Sequence, residues 1–124
     1  MGLIPDMYRA EEKYIQFSGD DGDEFHPTAG ATGFQISIEV TNGVGTKNPF
    51  SEVSEVTVNI DEGTDAPGAM INGAGDSVVV AIAEGVGELN VAVSGPGTVK
   101  LSMTDSGATG LDVSEKVDVI FTAA

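Results

Sequence analysis

Beyond residue 33 the chain alternates apolar and polar side chains with a period of two. Phe34, Ile36, Ile38 and Val40 fall on one face of an extended segment, and Gln35, Ser37, Glu39 and Thr41 on the other. That is the pattern of a strand with one face buried. Asn42-Gly43 follows, a dipeptide that accepts the positive φ of a tight turn. Val56, Val58 and Ile60 repeat the alternation against Glu55, Thr57 and Asn59. Leu89, Val91 and Val93 precede Ser94-Gly95-Pro96-Gly97, and Val99, Leu101 and Met103 come after it. Pro96 presets one turn dihedral and Gly97 frees the next, so these two segments are expected to form a hairpin. Val117, Val119 and Phe121 make a last strand, with Lys116 and Asp118 outward.

Two stretches depart from clean alternation. "SVVVAIAE" at 77–84 is apolar on both faces, as in a central strand or one covered by a partner. "KYIQF" at 13–17 is short but β-branched and aromatic, and reads as a strand. Between the strands lie turn-rich segments at 18–33, 61–76 and 105–115, marked by Gly, Asp, Pro and Thr. The second of these contains a minor strand at 69–71. Residues 1–12 form an arm, in which Asp6 can cap a single helical turn. Seven strands with turn punctuation, each with a greasy face that needs covering, predict an all-β antiparallel sandwich. A closed barrel or jelly roll uses the same pattern, and periodicity alone does not separate them.

Composition narrows the chemistry more than the shape. The 124 residues include 17 Gly and no Cys or Trp. Without cysteine there is no disulfide, thiolate nucleophile or Cys-based zinc site, which fits a reducing cytosol. The first residues lack a basic segment followed by an apolar run, so no signal peptide is expected. No stretch of about 18 apolar residues predicts a membrane span. Twenty acids against Arg9, Lys13, Lys47, Lys100 and Lys116 leave a net charge of −15. Such a field repels phosphate backbones and anionic lipid, so neither nucleic acid nor a membrane surface is an expected partner. It also keeps β-rich chains apart in solution.

Motifs for catalysis do not assemble. His26, in "DDGDEFHPTAG", is the single histidine and reads as a solvated loop residue. "GDSV" at 75–78 resembles a hydrolase nucleophile block, yet no histidine follows to take the serine proton. "AVSGPG" has Ala92 where a nucleophile elbow needs glycine. "GVGTK" at 43–47 lacks the order of a phosphate-binding loop. No enzyme activity and no organic cofactor are therefore expected. The candidate metal site is "DDGDE", where Asp20, Asp21, Asp23 and Glu24 place four carboxylates within five residues. Hard oxygens in a flexible loop suit Ca²⁺, although the spacing is not that of an EF-hand.

The run "GVGELNVAVSGPGTVKLSMTDSGATGLDVSEKVDVIFT" at 85–122 resembles the closing strands of bacterial Ig-like domains of the Big and invasin type. Those modules occur in bacterial surface proteins and in tailed-phage virion proteins. The resemblance implies an antiparallel Ig-like β-sandwich of about seven strands over residues 13–124, preceded by the arm at 1–12. A single domain with its own methionine and an acidic arm looks more like a capsid decoration or head-fibre protein than an adhesin.

On that footing the chain is expected to be a non-enzymatic structural virion protein, made in the host cytoplasm and placed on the outer capsid surface. It would dock on the major capsid protein or another virion lattice protein, as a homotrimer or other oligomer. The family has no catalytic residues to carry over. Leu3, Ile4, Met7, Tyr8 and Tyr14 are the candidate partner-binding residues, either draped over the shell or folded back on the core. The alternative is a surface adhesin or carbohydrate-binding Ig-like module. Sugar platforms usually expose aromatics, and this chain has no Trp and only two Tyr.

Overall fold

The computed structural model describes residues 14–18, 24–29, 33–41 and 52–123. Nine strands run through them: β1 Tyr14–Ser18, β2 Glu24–Phe25, β3 Phe34–Thr41, β4 Glu55–Ile60, β5 Met70–Ile71, β6 Ser77–Ala81, β7 Val86–Ala92, β8 Gly97–Thr104 and β9 Val117–Phe121. No helix occurs among the described residues. The strands form two sheets, in the orders β1-β3-β7-β5 and β2-β9-β8-β4-β6. Every pairing between named strands is antiparallel except β2 with β9, which is parallel. Among the described residues there are nine strands rather than about seven: the segments expected to be extended and the minor one at 69–71 are strands, and β2 is added inside the segment expected to be loop. The arm at 1–12, with Leu3, Ile4, Met7 and Tyr8, lies outside the described residues, as do Asp20, Asp21, Asp23 and the Asn42-Gly43 turn.

The alternation read from the sequence becomes the inside and outside of these sheets. Ile36, Ile38 and Val40 from β3, Leu89 and Val91 from β7, and Ile15 and Phe17 from β1 point inward and are buried. They meet Val56, Val58, Val99, Leu101, Met103, Val117, Val119 and Phe121 of the other sheet in one hydrophobic cluster. Full burial of each such side chain contributes about 1.5–3 kcal/mol, several times the net gain from an ordinary hydrogen bond. The register of each strand is therefore set by which residues it can bury. Phe25 and Phe34 join the two sheets at one end, edge to face with centroids 5.8 Å apart. Among the described residues Thr41 is the buried polar one, and its hydroxyl donates to Gln16 Oε1 at 2.6 Å.

The expected hairpin at residues 94–97 is not one. β7 belongs to the first sheet and β8 to the second, so the chain crosses between layers there. The backbone groups that a hairpin would pair with each other are taken by the segment before β5. Ser94 N–H donates to the Pro67 carbonyl at 2.8 Å, and Asp65 N–H to the Thr98 carbonyl at 3.0 Å. Thr98 N–H in turn donates to Asp65 Oδ1 at 2.7 Å. Gly97 makes this clasp possible. Its φ is +150°, and a Cβ there would sit 2.6 Å from Ala66 Cα, closer than any side chain is accommodated.

β6 excludes one of the two sequence readings of 77–84, because it is not a central strand. It pairs with β4 alone, at the end of the second sheet. Gly87, inward on β7, lets this end of the second sheet approach, since a Cβ there would lie 2.8 Å from the Ala81 carbonyl oxygen.

The sheets end on four strands, and two of these, β2 and β5, are only two residues long. β1 and β6 are five residues each. Along the outer side of β1, Ile15 N–H donates to the Asp112 carbonyl at 3.0 Å. Phe17 N–H donates to Glu115 Oε1 at 2.6 Å. Along β6 the pattern of bonds to β4 leaves Ser77, Val79 and Ala81 facing away. Ile60 N–H donates to Asp76 and Ile82 N–H to Ser54, and in an antiparallel ladder the bonded pairs recur at every second residue.

Candidate functional site

The outer face of the second sheet carries a shallow polar depression of about 430 Å³, lined by Asp61, Glu62, Lys100, Ser102, Lys116 and Asp118 among others. Strand register builds it: Lys100 and Asp118 are direct cross-strand partners on β8 and β9. Lys100 Nζ lies 3.4 Å from both carboxylate oxygens of Asp118. Asp61 N–H donates to the Lys100 carbonyl at 2.8 Å, which brings the Asp61 side chain beside β8. Ser102 then donates its hydroxyl to Asp61 Oδ1 at 2.7 Å. These charges are well solvated, and an exposed pair of this kind contributes about 0–1 kcal/mol. Chemically the depression offers ammonium and carboxylate groups to a polar ligand. Ser102 faces a carboxylate with no imidazole between them, so this pair is not an acyl-transfer triad.

Of the expected metal ligands, Glu24 is described. It is exposed on β2, with Oε1 3.3 Å from Nε2 of His26. That contact places His26 on the surface beside a carboxylate. Among the described residues no three His, Asp or Glu side chains converge on a point that could hold a metal ion. Tyr14, the described member of the expected partner-binding set, opens β1 opposite Thr41 and bridges to Asp112. It is thus part of the first sheet, half-buried at its edge.

The segment 105–115, read from the sequence simply as turns, has a definite architecture. The Asp105 carboxylate accepts from Thr109 N–H at 3.0 Å, Thr109 hydroxyl at 2.9 Å and Gly110 N–H at 2.9 Å. The bond from Thr109 N–H, with the others, holds the Asp105 carboxyl below its ordinary value, against an opposing effect of burial. Asp112 accepts from the Ser114 hydroxyl and N–H, which likewise lower its carboxyl. The Asp-x-Ser spacing was the available signal, since a short acid side chain can bond the backbone two residues on. Together these turns deliver Asp112 and Glu115 to the edge of β1.

No protein-family model matches the chain, and no curated protein matches it in sequence. Among solved structures it is similar to WR4, a C. elegans MSP family member, at 11% identity. The match covers 89% of this chain and 99% of that one, with a TM-score of 0.46. At that distance the likeness carries no functional assignment.

Proposed function

We propose that the chain is a non-enzymatic structural protein of a virion, an Ig-like module that docks on a capsid lattice and decorates or stiffens it. The observation that carries this reading is the way the molecule divides its residues. Both sheets commit their inward faces to one apolar cluster, and Asp61, Lys100, Ser102, Lys116 and Asp118 gather on an outer face. A body built that way acts through the surfaces it presents.

Strand order supports the Ig-like part of the proposal. In Ig sandwiches one sheet reads A-B-E-D and the other contains G-F-C, extended in variable domains beyond C. Here the orders β1-β3-β7-β5 and, with β2 set aside, β9-β8-β4-β6 resemble that arrangement. The departure is β5, which joins the first sheet before the chain reaches β6 rather than after it.

On this reading the body spans residues 13–124, and the arm at 1–12, with Tyr14 at its root, makes the contact with the shell. Neither a catalytic group nor an organic cofactor takes part, and Ca²⁺ at Asp20, Asp21, Asp23 and Glu24 is an optional support for the adjoining loop. Mass spectrometry of purified particles is the direct test. The chain is expected at a fixed ratio to the shell protein, and its absence from particles overturns the reading. Deleting residues 2–12 is expected to abolish shell binding while leaving the melting temperature in place. If binding survives while stability falls, the arm belongs to the fold instead. The polar depression at Lys100, Lys116 and Asp118 favours one second reading, a carbohydrate-binding surface module. A glycan array that returns specific hits lost in Lys100→Ala would replace the first reading by this one.

A further inference from the structure

We infer that the outer edge of β6 is a docking site for an extended segment of a basic partner, which joins the second sheet as its next strand. This inference does not rest on the virion reading. The main-chain groups of Ser77, Val79 and Ala81 face away from β4, as the Ile60–Asp76 and Ile82–Ser54 bonds require; the Ala81 carbonyl lies against Gly87 of β7, so the open stretch is Ser77 to Val79. Among the described residues, none bonds to them. Exposed main-chain donors and acceptors on an extended strand are a template for another strand.

Proteins usually blunt such an edge with lysine, proline, a bulge or a covering segment. β1 is covered in this way by Asp112 and Glu115. β6 reads Ser-Val-Val-Val-Ala, without charge or proline. Its outward Val79 is 57% exposed, and the other large hydrophobic exposed among the described residues is Met70. Val79 lies across from Thr57, which lies across from Thr104. A β-branched residue on an incoming strand would extend that row and cover Val79.

Charge decides the occupant. Asp76 precedes β6, Glu84 follows it, and Glu55 is the cross-strand partner of Ala81. All three are acidic. A second copy of the chain would bring −15 against −15, with both sets of flanking acids gathered around one seam. Like charges so placed oppose pairing. A segment with β-branched residues at its centre and Lys or Arg at both ends meets the edge with hydrogen bonds and the flanks with opposite charge. The main chain would then supply affinity, and the flanking charges the choice of partner.

The test uses the full chain and a fluorescein-labelled peptide with a Val-Thr-Val-Thr-Val centre and Lys-Arg at each end. Its control has Glu at those four terminal positions. Fluorescence anisotropy is expected to show the basic peptide binding at least about tenfold more tightly than the acidic one, with the difference shrinking as salt rises. Hydrogen exchange is expected to slow at the amides of 77 and 79. Val79→Pro removes one N–H from the outer edge and none from the β4 ladder, and is expected to weaken the basic peptide about tenfold or more. Should that variant melt early, Val79→Lys keeps every backbone group, adds a like charge, and is expected to weaken binding similarly. Equal binding of both peptides, unchanged affinity in both variants, or unchanged exchange at 77 and 79 overturns the inference. So does a dimer by sedimentation whose amides at 77 and 79 are protected without peptide, since the occupant would then be a second copy.

Discussion

β1 and β6 are the same length and each closes one sheet, yet they are finished in opposite ways. Both sides of β1 are engaged: it pairs with β3 on one side, and Asp112 and Glu115 take its N–H groups on the other. β6 pairs with β4 and turns Ser77, Val79 and Ala81 outward. The difference does not originate in the strands themselves. It comes from the routing of residues 105–115, whose turns at Asp105 and Asp112 hold a strap against β1. An edge strand is thus made inert by a distant part of the chain, and its own sequence need not change.

Three substitutions sharpen that contrast. The largest effect is expected where β1 enters the core. Phe17→Ala empties a buried aromatic site and should cost about 3–5 kcal/mol, read as a shift in the denaturant midpoint. The matching change on the outward side of β6, Val79→Ala, should stay within about 0.5 kcal/mol. Next comes Glu115→Ala, which takes the acceptor from Phe17 N–H and gives β1 an edge resembling that of β6. A partly buried donor left without its partner costs about 1–3 kcal/mol, and the Phe17 amide should exchange markedly faster.

The smallest effect is the pH response of the strap. The Asp105 carboxyl is held below its ordinary value of 3.8, first by the bond from Thr109 N–H. A folded-state value lower than the unfolded one gives stability that is complete above the unfolded value and disappears as pH falls through the folded one. Asp105 should therefore leave the melting temperature flat between about pH 8 and pH 5 and depress it only in stronger acid. In Asp105→Asn the melting temperature should start slightly lower and fall less steeply in acid.

The strands with one apolar face were legible in the sequence because burial and period two are the same fact seen twice. Phe34 to Thr41 and Val117 to Phe121 fall where their alternation places them. What the pattern could not convey was which sheet a strand joins. Leu89 to Val93 and Val99 to Met103 alternate identically, and Ser94-Gly95-Pro96-Gly97 reverses the chain whether it stays in one layer or crosses. The crossing depends on Asp65 and Pro67, which lie some thirty residues earlier in the chain. "SVVVA" was correctly seen to be apolar on both sides, but an edge awaiting cover and a central strand look alike at that level. β2 was invisible because two residues carry no period, and its parallel partner β9 lies far along the chain. Of the candidate site residues, Tyr14 fell inside the strand expected at 13–17, whereas Glu24, read as part of a loop, lies on β2 and faces His26.

The bond from Phe17 to Glu115 spans 98 positions, and that separation has a consequence in time. A ribosome adding roughly 5–20 residues per second finishes β1 about five to twenty seconds before its protector exists. For that interval the Tyr-Ile-Gln-Phe-Ser segment has no residue 115 to bond its outer side, whereas β6 and its partner β4 lie close together in the chain. The cover of β1 is thus among the last parts of the fold to be made.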